Sequence, residues 1–275
     1  MYLTKGISAG KRLFGLGAIT VVMILGAASA GTAMTLDEVI AGDHRTAGEK
    51  ARDQYRHPKE TLEFFGLKKD MTVVELTPGA GGWYQKILAP YLRDEGVYYG
   101  ASYNPESTRD YYKRAIAKEK ERLDSRPDLY GKVRMTVLEP PAHLNVAPAG
   151  SADMVLTFRN YHNWAMGGQE KAVLAAAFKA LKPGGIFGIT DHRRAQPAER
   201  SGYIDPEAVK AVAKAVGFEF VASSEINANP KDVGDHEKGV WTLPPTLSGD
   251  PAHHEAMKKI GESDRFTLKF RKPVN

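Results

Sequence analysis

The sequence predicts a single α/β domain built around a mainly parallel sheet. Three observations carry that expectation. Short apolar runs alternate with segments of helical pattern, the mark of βαβ units. The first apolar run leads directly into a glycine-rich turn. Two of the helical segments begin with a capping residue followed by proline, Asn104-Pro105-Glu106 and Asp205-Pro206-Glu207. A chain of 275 residues that is 42% hydrophobic can fill one core, and 26% charged residues argue against a disordered chain and a membrane bundle.

Taken in order, Thr35 is expected to cap a short helix in TLDEVIAG, with Asp37 and Glu38 in its first turn, where the helix dipole favours acids. A polar helical run carrying Arg45, Lys50, Arg52 and Arg56 follows. At His57-Pro58 the chain restarts as the helix PKETLEFFG, with Pro58 in the first turn and Gly66 at the C-terminal cap. Residues 34–70 thus form a helical lead-in to the sheet. Strands are expected at Thr72 to Leu76, Val97 to Ser102, Lys132 to Leu138, Met154 to Phe158, Gly185 to Asp191 and Glu219 to Ile226. Helices fall between them, near Trp83 to Leu92, Pro105 to Leu123, Gln169 to Leu181 and Pro206 to Val216. A Pro- and Gly-rich stretch, residues 227–264, reads as a long loop before a final strand, Arg265 to Arg271; loops of that length are usually functional or mobile.

Residues 1–33 read as a cleavable signal peptide. Lys5, Lys11 and Arg12 precede an apolar stretch from Leu13 to Leu25, and AASAGTAM supplies an A-x-A pattern with the cut after Ala30 or Ala33. The stretch is broken by Gly15, Gly17 and Gly26 and is short against the ~20 residues a spanning helix needs. Export to the periplasm or the medium is therefore expected, leaving residues 34–275 as one domain. Three of the 38 Lys and Arg lie in the signal and none of the 33 Asp and Glu does, so the remainder carries 35 bases against 33 acids, or +2. Nothing in that balance calls for nucleic acid. With no cysteine, the chain has no disulfide, thiolate nucleophile or cysteine-based zinc site.

The run VVELTPGAGGW, Val73 to Trp83, combines a buried strand ending in an acid, a glycine-rich turn and a helix start. Glycines there let a ligand approach the backbone, and the helix N-terminus offers free N–H groups. Together with Ala152-Asp153-Met154-Val155-Leu156 as a fourth strand and Ala180-Leu181-Lys182-Pro183-Gly184-Gly185 before the fifth, this run resembles the class I methyltransferases that use S-adenosylmethionine. RHPKETLEFFG before the turn, FRNYH after the fourth strand and Lys272-Pro273 near the end are similar to a group of predicted methyltransferases among exported bacterial proteins. The resemblance implies a doubly wound, mostly parallel, seven-stranded Rossmann-like sheet with an antiparallel C-terminal strand, and S-adenosylmethionine as cofactor. It assigns the cofactor to Glu75, Thr77, Gly79, Gly81 and Gly82, to Ser102 and Asn104 at the end of the second strand, and to Arg159. Thr77 stands where the usual loop has a glycine. Ser102-Tyr103-Asn104 falls where the usual ribose-binding acid lies, and the third strand ends in Glu139-Pro140-Pro141.

Two further clusters sit where α/β sheets place ligands, at the carboxyl ends of strands. Arg159-Asn160-Tyr161-His162-Asn163-Trp164 follows the fourth strand, and Asp191-His192-Arg193-Arg194 ends the fifth. A neutral histidine beside an acid is suited to taking a proton, which makes Asn160, His162, Asp191 and His192 the candidate catalytic residues. Asp191, His162 and His192 also offer an O,N,N donor set, though at no recognised ligand spacing, and no metal is assigned. Arg52, Arg56 and His57 either fold over the cofactor's carboxylate, which suits a guanidinium fork, or form the solvated face of a helix. Three functions stay open. One is methyl transfer to a small-molecule acceptor that His162 or His192 orients or deprotonates. Another is a binding module that has lost or exchanged the cofactor. The third is a metal-assisted hydrolase built on His162, Asp191 and His192.

Overall fold

Thr35 caps the first helix among the described residues. Its hydroxyl accepts the Glu38 backbone N–H while the Glu38 carboxylate returns to the Thr35 N–H, a reciprocal cap that starts α1 (Leu36–Ala41); Thr46 and Glu49 repeat the device on α2 (Ala47–Lys50). Next come α3 (Asp53–Arg56) and α4 (Pro58–Phe65), the latter with proline at its first position and Gly66 left-handed at its end. The computed structural model describes residues 1–3, 6 and 33–274, so the expected signal segment lies almost wholly outside the described residues.

Seven strands follow in chain order: β1 (Thr72–Leu76), β2 (Val97–Ser102), β3 (Arg134–Val137), β4 (Ala152–Phe158), β5 (Leu181–His192), β6 (Glu219–Ser224) and β7 (Arg265–Arg271). They form one sheet in the order β3-β2-β1-β4-β5-β7-β6. Only the pairings of β7, with β5 and with β6, are antiparallel. The remaining helices are α5 (Gln85–Leu92), α6 (Asp110–Ser125), α7 (Pro127–Tyr130), α8 (Tyr161–Met166), α9 (Glu170–Ala180), α10 (Pro206–Val216) and α11 (His254–Ile260). This is the doubly wound, mostly parallel, seven-stranded architecture the sequence implied.

The two faces of the sheet are covered separately, because successive side chains of a strand point to opposite sides. Met154 and Leu156 of β4, with Val73 of β1, pack against Leu62 and Phe65 of α4 and Ile87 and Leu88 of α5. Val155, Phe187 and Ile189 face the other way, against Val173 and Leu174 of α9 and Val209 and Ala213 of α10. Chain order reverses between β1 and β4, and the carboxyl ends of the strands flanking such a reversal open a crevice for ligands.

Some expected boundaries move for identifiable reasons. The helix expected from Pro105 begins only at Asp110. Asn104 Oδ1 accepts the Glu106 N–H at 3.0 Å and its carbonyl accepts the Ser107 N–H at 3.0 Å, forming a turn, while its Nδ2 donates to Glu139 at 2.7 Å. The asparagine is thereby tied to the end of β3 instead of capping a helix. Asp205 does cap α10, accepting the Glu207 N–H at 2.9 Å. The polar run after β4 coils into α8. Residues 227–264 hold two 3-10 turns and α11. They are pinned by the buried Asp232, which accepts the Tyr203 hydroxyl at 2.8 and 2.9 Å, the His236 ring at 2.8 Å and the Gly234 and Asp264 N–H groups, each at 2.8 Å. No helix among the described residues is long and apolar enough to cross a membrane.

Candidate functional site

The turn after β1 is built from left-handed residues: Thr77 (φ 54°), Gly79 (φ 73°) and Gly82 (φ 53°). For a β-branched threonine this conformation is costly and must be held from outside. The Thr77 N–H donates to the Ala101 carbonyl at 2.8 Å, and Asn160 Nδ2 donates to the Thr77 carbonyl at 3.0 Å and to the Leu76 carbonyl at 3.1 Å. Asn160 is thus a brace for the turn. A Cβ built on Gly79 or Gly81 meets no heavy atom within 4 Å, so the backbone there faces open space. Gly82 differs: a Cβ would lie 2.5 Å from the Arg122 guanidinium, which bonds the Ala80 carbonyl at 2.7 Å. Gly81 borders a polar hollow of about 380 Å³ beside Lys86 and Arg122.

Neither Glu75 nor Ser102 lines the cavity at the ends of β1, β2 and β3. Glu75 is buried beneath the turn, where the Tyr98 hydroxyl donates to it at 2.7 Å. Burial pushes its pKa up to about 8, so it is mostly protonated at neutral pH. The Ser102 hydroxyl donates to the buried Glu119 of α6, and Ser102 lines a separate apolar groove of about 280 Å³ between α6 and β3. In both cases a neighbouring polar group captures the side chain inside the fold.

A different set of residues shapes the cavity at the ends of β1, β2 and β3. It measures about 300 Å³ and is lined by Thr77, Tyr103, Asn104, Glu139, Trp164 and Gln169 among others. That volume is at the lower end of the ~300–1,000 Å³ range of small-molecule sites. Asn104 holds Glu139 at 2.7 Å, so a carboxylate stands beside the end of β2 although the strand itself supplies none. Tyr103, stacked on Tyr112 at 4.3 Å between centroids, gives an aromatic wall. A carboxylate that accepts hydrogen bonds from hydroxyls, aromatic surfaces and an open glycine turn meet the hydrogen-bonding and shape requirements of an adenosyl group, and the residues present fit it.

His162, Asp191 and His192 are brought together at the ends of β4 and β5. Asp191 is fully buried and accepts the His162 Nδ1–H at 2.9 Å, the His162 backbone N–H at 3.1 Å and the His192 backbone N–H at 2.8 Å. A carboxylate on Nδ1 fixes the tautomer and leaves the Nε2 lone pair of His162 as an acceptor. The other ring's Nδ1 bonds the Ser263 hydroxyl. Burial, followed by the nearby positive charge of Arg159, holds the His192 pKa well below the ordinary histidine range, so that ring is neutral. One ligating atom from each of the three lies within 4.8 Å of the others, but the Asp191 oxygens already receive three donors. The Trp241 ring lies 6.0 Å from the His162 ring and lines an open hollow of about 640 Å³.

Arg159 lies away from the 300 Å³ cavity. It joins Arg56 and Arg265 around a small void near Phe158 and Thr190. Of the residues assigned to the cofactor, Thr77 and Asn104 line the cavity and Gly79 opens to space. Glu139 and Tyr103 stand out in the sequence only as the residues ending β3 and following β2, and no sequence signal points to Gln169. Nor does one point to Glu262 and Arg265, whose partners are about 200 positions away in the chain.

No family model matches the chain, and no curated protein matches it. Solved structures do. A SAM-dependent methyltransferase from Aquifex aeolicus aligns over 87% of this chain and 99% of its own, with a TM-score of 0.55 and 14% identity. The [4+2]-cyclase SpnF aligns over 87% and 92%, with a TM-score of 0.56 and 16% identity. The N-methyltransferase NodS from Bradyrhizobium japonicum, in complex with S-adenosyl-L-homocysteine, aligns over 86% and 96%, with a TM-score of 0.50 and 16% identity. At these identities the likeness establishes the fold. That fold serves both a methyltransferase and a cyclase, so the chemistry has to be argued from the site.

Proposed function

We propose that the chain is a methyltransferase that uses S-adenosylmethionine and acts on a small-molecule acceptor. The observation that carries this reading is the 300 Å³ cavity at the strand ends, edged by Asn104 and Glu139 and flanked by a glycine turn that opens to space at Gly79. The solved structures with the same fold, one of them holding S-adenosyl-L-homocysteine, add support. S-adenosylmethionine, when bound, supplies an electrophilic methyl group on a sulfonium. This chain's residues do the rest. Glu139, steadied by Asn104, accepts the ribose hydroxyls, while Tyr103 and Trp164 exclude water from the base. Asn160 keeps the turn in shape. His162 takes the acceptor's proton at Nε2, with Asp191 holding the imidazole in the required tautomer. Methyl transfer needs little more than aligned placement in a dry site, so positioning supplies most of the rate.

We also propose that residues 1–33 direct export, that the site works in the periplasm or outside the cell, and that the chain belongs with the exported bacterial group its motifs resemble. A second reading, a cofactor-exchanged binding module on this scaffold, is favoured by the Arg122 guanidinium lying against Gly82. Equilibrium binding of methyl-labelled S-adenosylmethionine, with S-adenosyl-L-homocysteine as competitor, separates the two. The methyltransferase reading expects competitive binding, weakened about tenfold or more by Glu139→Gln through loss of charge-assisted hydrogen bonds. No binding at millimolar ligand leaves the second reading in place.

A further inference from the structure

Four guanidinium groups meet one carboxylate where β4, β5 and β7 come together. Glu262 accepts Arg52 Nε at 2.5 Å, Arg56 Nε at 3.1 Å and Arg265 Nη2. Arg159, the fourth, makes no side-chain hydrogen bond among the described residues. Each of the four keeps a buried N–H without a partner: Arg52 Nη2, Arg56 Nη2, Arg159 Nε and Arg265 Nε. Asp191, the other acid that acts on Arg159, is committed to the histidines. An excess of buried positive charge is strongly unfavourable unless something negative joins it. Burial, then repulsion from Arg265, lowers the Arg159 pKa to about 10, and burial, then Arg159, brings Arg56 well below the usual arginine range. Arg159 is also held left-handed at φ 62°, a conformation that persists in a non-glycine residue only where its surroundings impose it.

The void among these residues is about 10 Å³, room for roughly one water-sized group. Only the end of a ligand enters, and a carboxylate, whose two oxygens match a guanidinium fork, is smaller than a phosphate or sulfate group. None of the residues lining this void lines the adenosyl cavity. Arg159 directly follows β4, three residues before His162, and is close enough to lower the pKa of His192.

We propose that these arginines receive a carboxylate of the methyl acceptor, with Arg159 making the new contact and Arg56 and Arg265 flanking it, so that the acceptor is a carboxylic acid whose reacting atom faces His162. The acceptor's role rests on the methyl-transfer reading; the carboxylate site itself does not.

The test follows thermal unfolding of the full chain in acetate, against chloride at equal ionic strength, and titrates S-adenosyl-L-homocysteine separately. Acetate is expected to raise the midpoint saturably where chloride does not. Arg159→Met weakens the acetate effect about tenfold or more, the worth of a charged hydrogen bond, and leaves S-adenosyl-L-homocysteine affinity unchanged; Arg159→Lys restores part of the effect. Acetate and chloride acting alike on the parent protein overturns the proposal. So does an Arg159→Met variant that loses affinity for S-adenosyl-L-homocysteine but not for methylthioadenosine, which lacks the amino-acid carboxylate, because the arginines then serve the cofactor. Arg159-dependent acetate binding without any S-adenosyl-L-homocysteine binding supports the carboxylate site and refutes the methyl-transfer reading.

Discussion

Replacing Glu75 by glutamine is expected to stabilise this protein at neutral pH. Glu75 is buried under the glycine turn with its pKa raised to about 8 by desolvation, against an ordinary value of 4.5. A raised acid keeps its proton in the folded state while the unfolded chain releases it, so stability falls as pH rises from the unfolded value towards the folded one. Each pH unit in that window costs about 1.4 kcal/mol, which amounts to about 3 kcal/mol by pH 7. Glutamine is neutral at every pH and still accepts the Tyr98 hydroxyl. Its gain is therefore about 3 kcal/mol at pH 7, less whatever the second amide N–H fails to pair, and close to zero at pH 4.5. Denaturant unfolding of parent and variant between pH 4.5 and 8.5 measures the difference. A variant less stable than the parent at pH 8, or a difference that does not change with pH, refutes the reasoning and makes Glu75 a carboxylate with its own partner.

Glu262→Gln is expected to lose about 3 kcal/mol or more, because it leaves the arginine cluster without its carboxylate. Burial alone would raise the Glu262 pKa, but Arg265, Arg56 and Arg52 together hold it well below the usual range. Its stabilisation is present above pH ~4.5 and is lost as pH falls through the folded value, so acid titration of unfolding is shallower in the variant. Asp191→Asn is expected to lower turnover about 10²–10⁴-fold by releasing the His162 tautomer, with S-adenosyl-L-homocysteine affinity unchanged; once an acceptor is known, steady-state kinetics beside calorimetry checks both halves.

The sheet was legible in the sequence because its signals are local. The apolar runs at Thr72–Leu76 and Arg265–Arg271 coincide with β1 and β7, and the Asp205-Pro206-Glu207 cap starts α10 as expected. The identical signal at Asn104-Pro105-Glu106 misled, because Asn104 is drawn to Glu139, 35 residues on, a partner that only the pairing of β2 with β3 brings near. The candidate site was partly legible for the same reason. Asp191 and His192 end β5, His162 lies in the first turn of the helix after the neighbouring β4, and the three do converge. Which acids face the cavity is decided by competition among side chains: Tyr98 captures Glu75, Glu119 captures Ser102, and Glu139 is left at the cavity. The arginine cluster joins the N-terminal helices to the last strand, and no local pattern announces a contact over that separation.

If the chain binds S-adenosylmethionine as proposed, the open space at Gly79 belongs to the cofactor. Asparagine tolerates the left-handed backbone of that position, and a Cβ there meets no heavy atom within 4 Å, so Gly79→Asn is expected to fill the space while leaving the fold intact. The decisive measurement is calorimetric titration of parent and Gly79→Asn with S-adenosyl-L-homocysteine, alongside their unfolding midpoints. Micromolar binding by the parent, lost in the variant while the midpoint holds, is the expected result. No heat from the parent at millimolar ligand, or equal binding by both proteins, contradicts it.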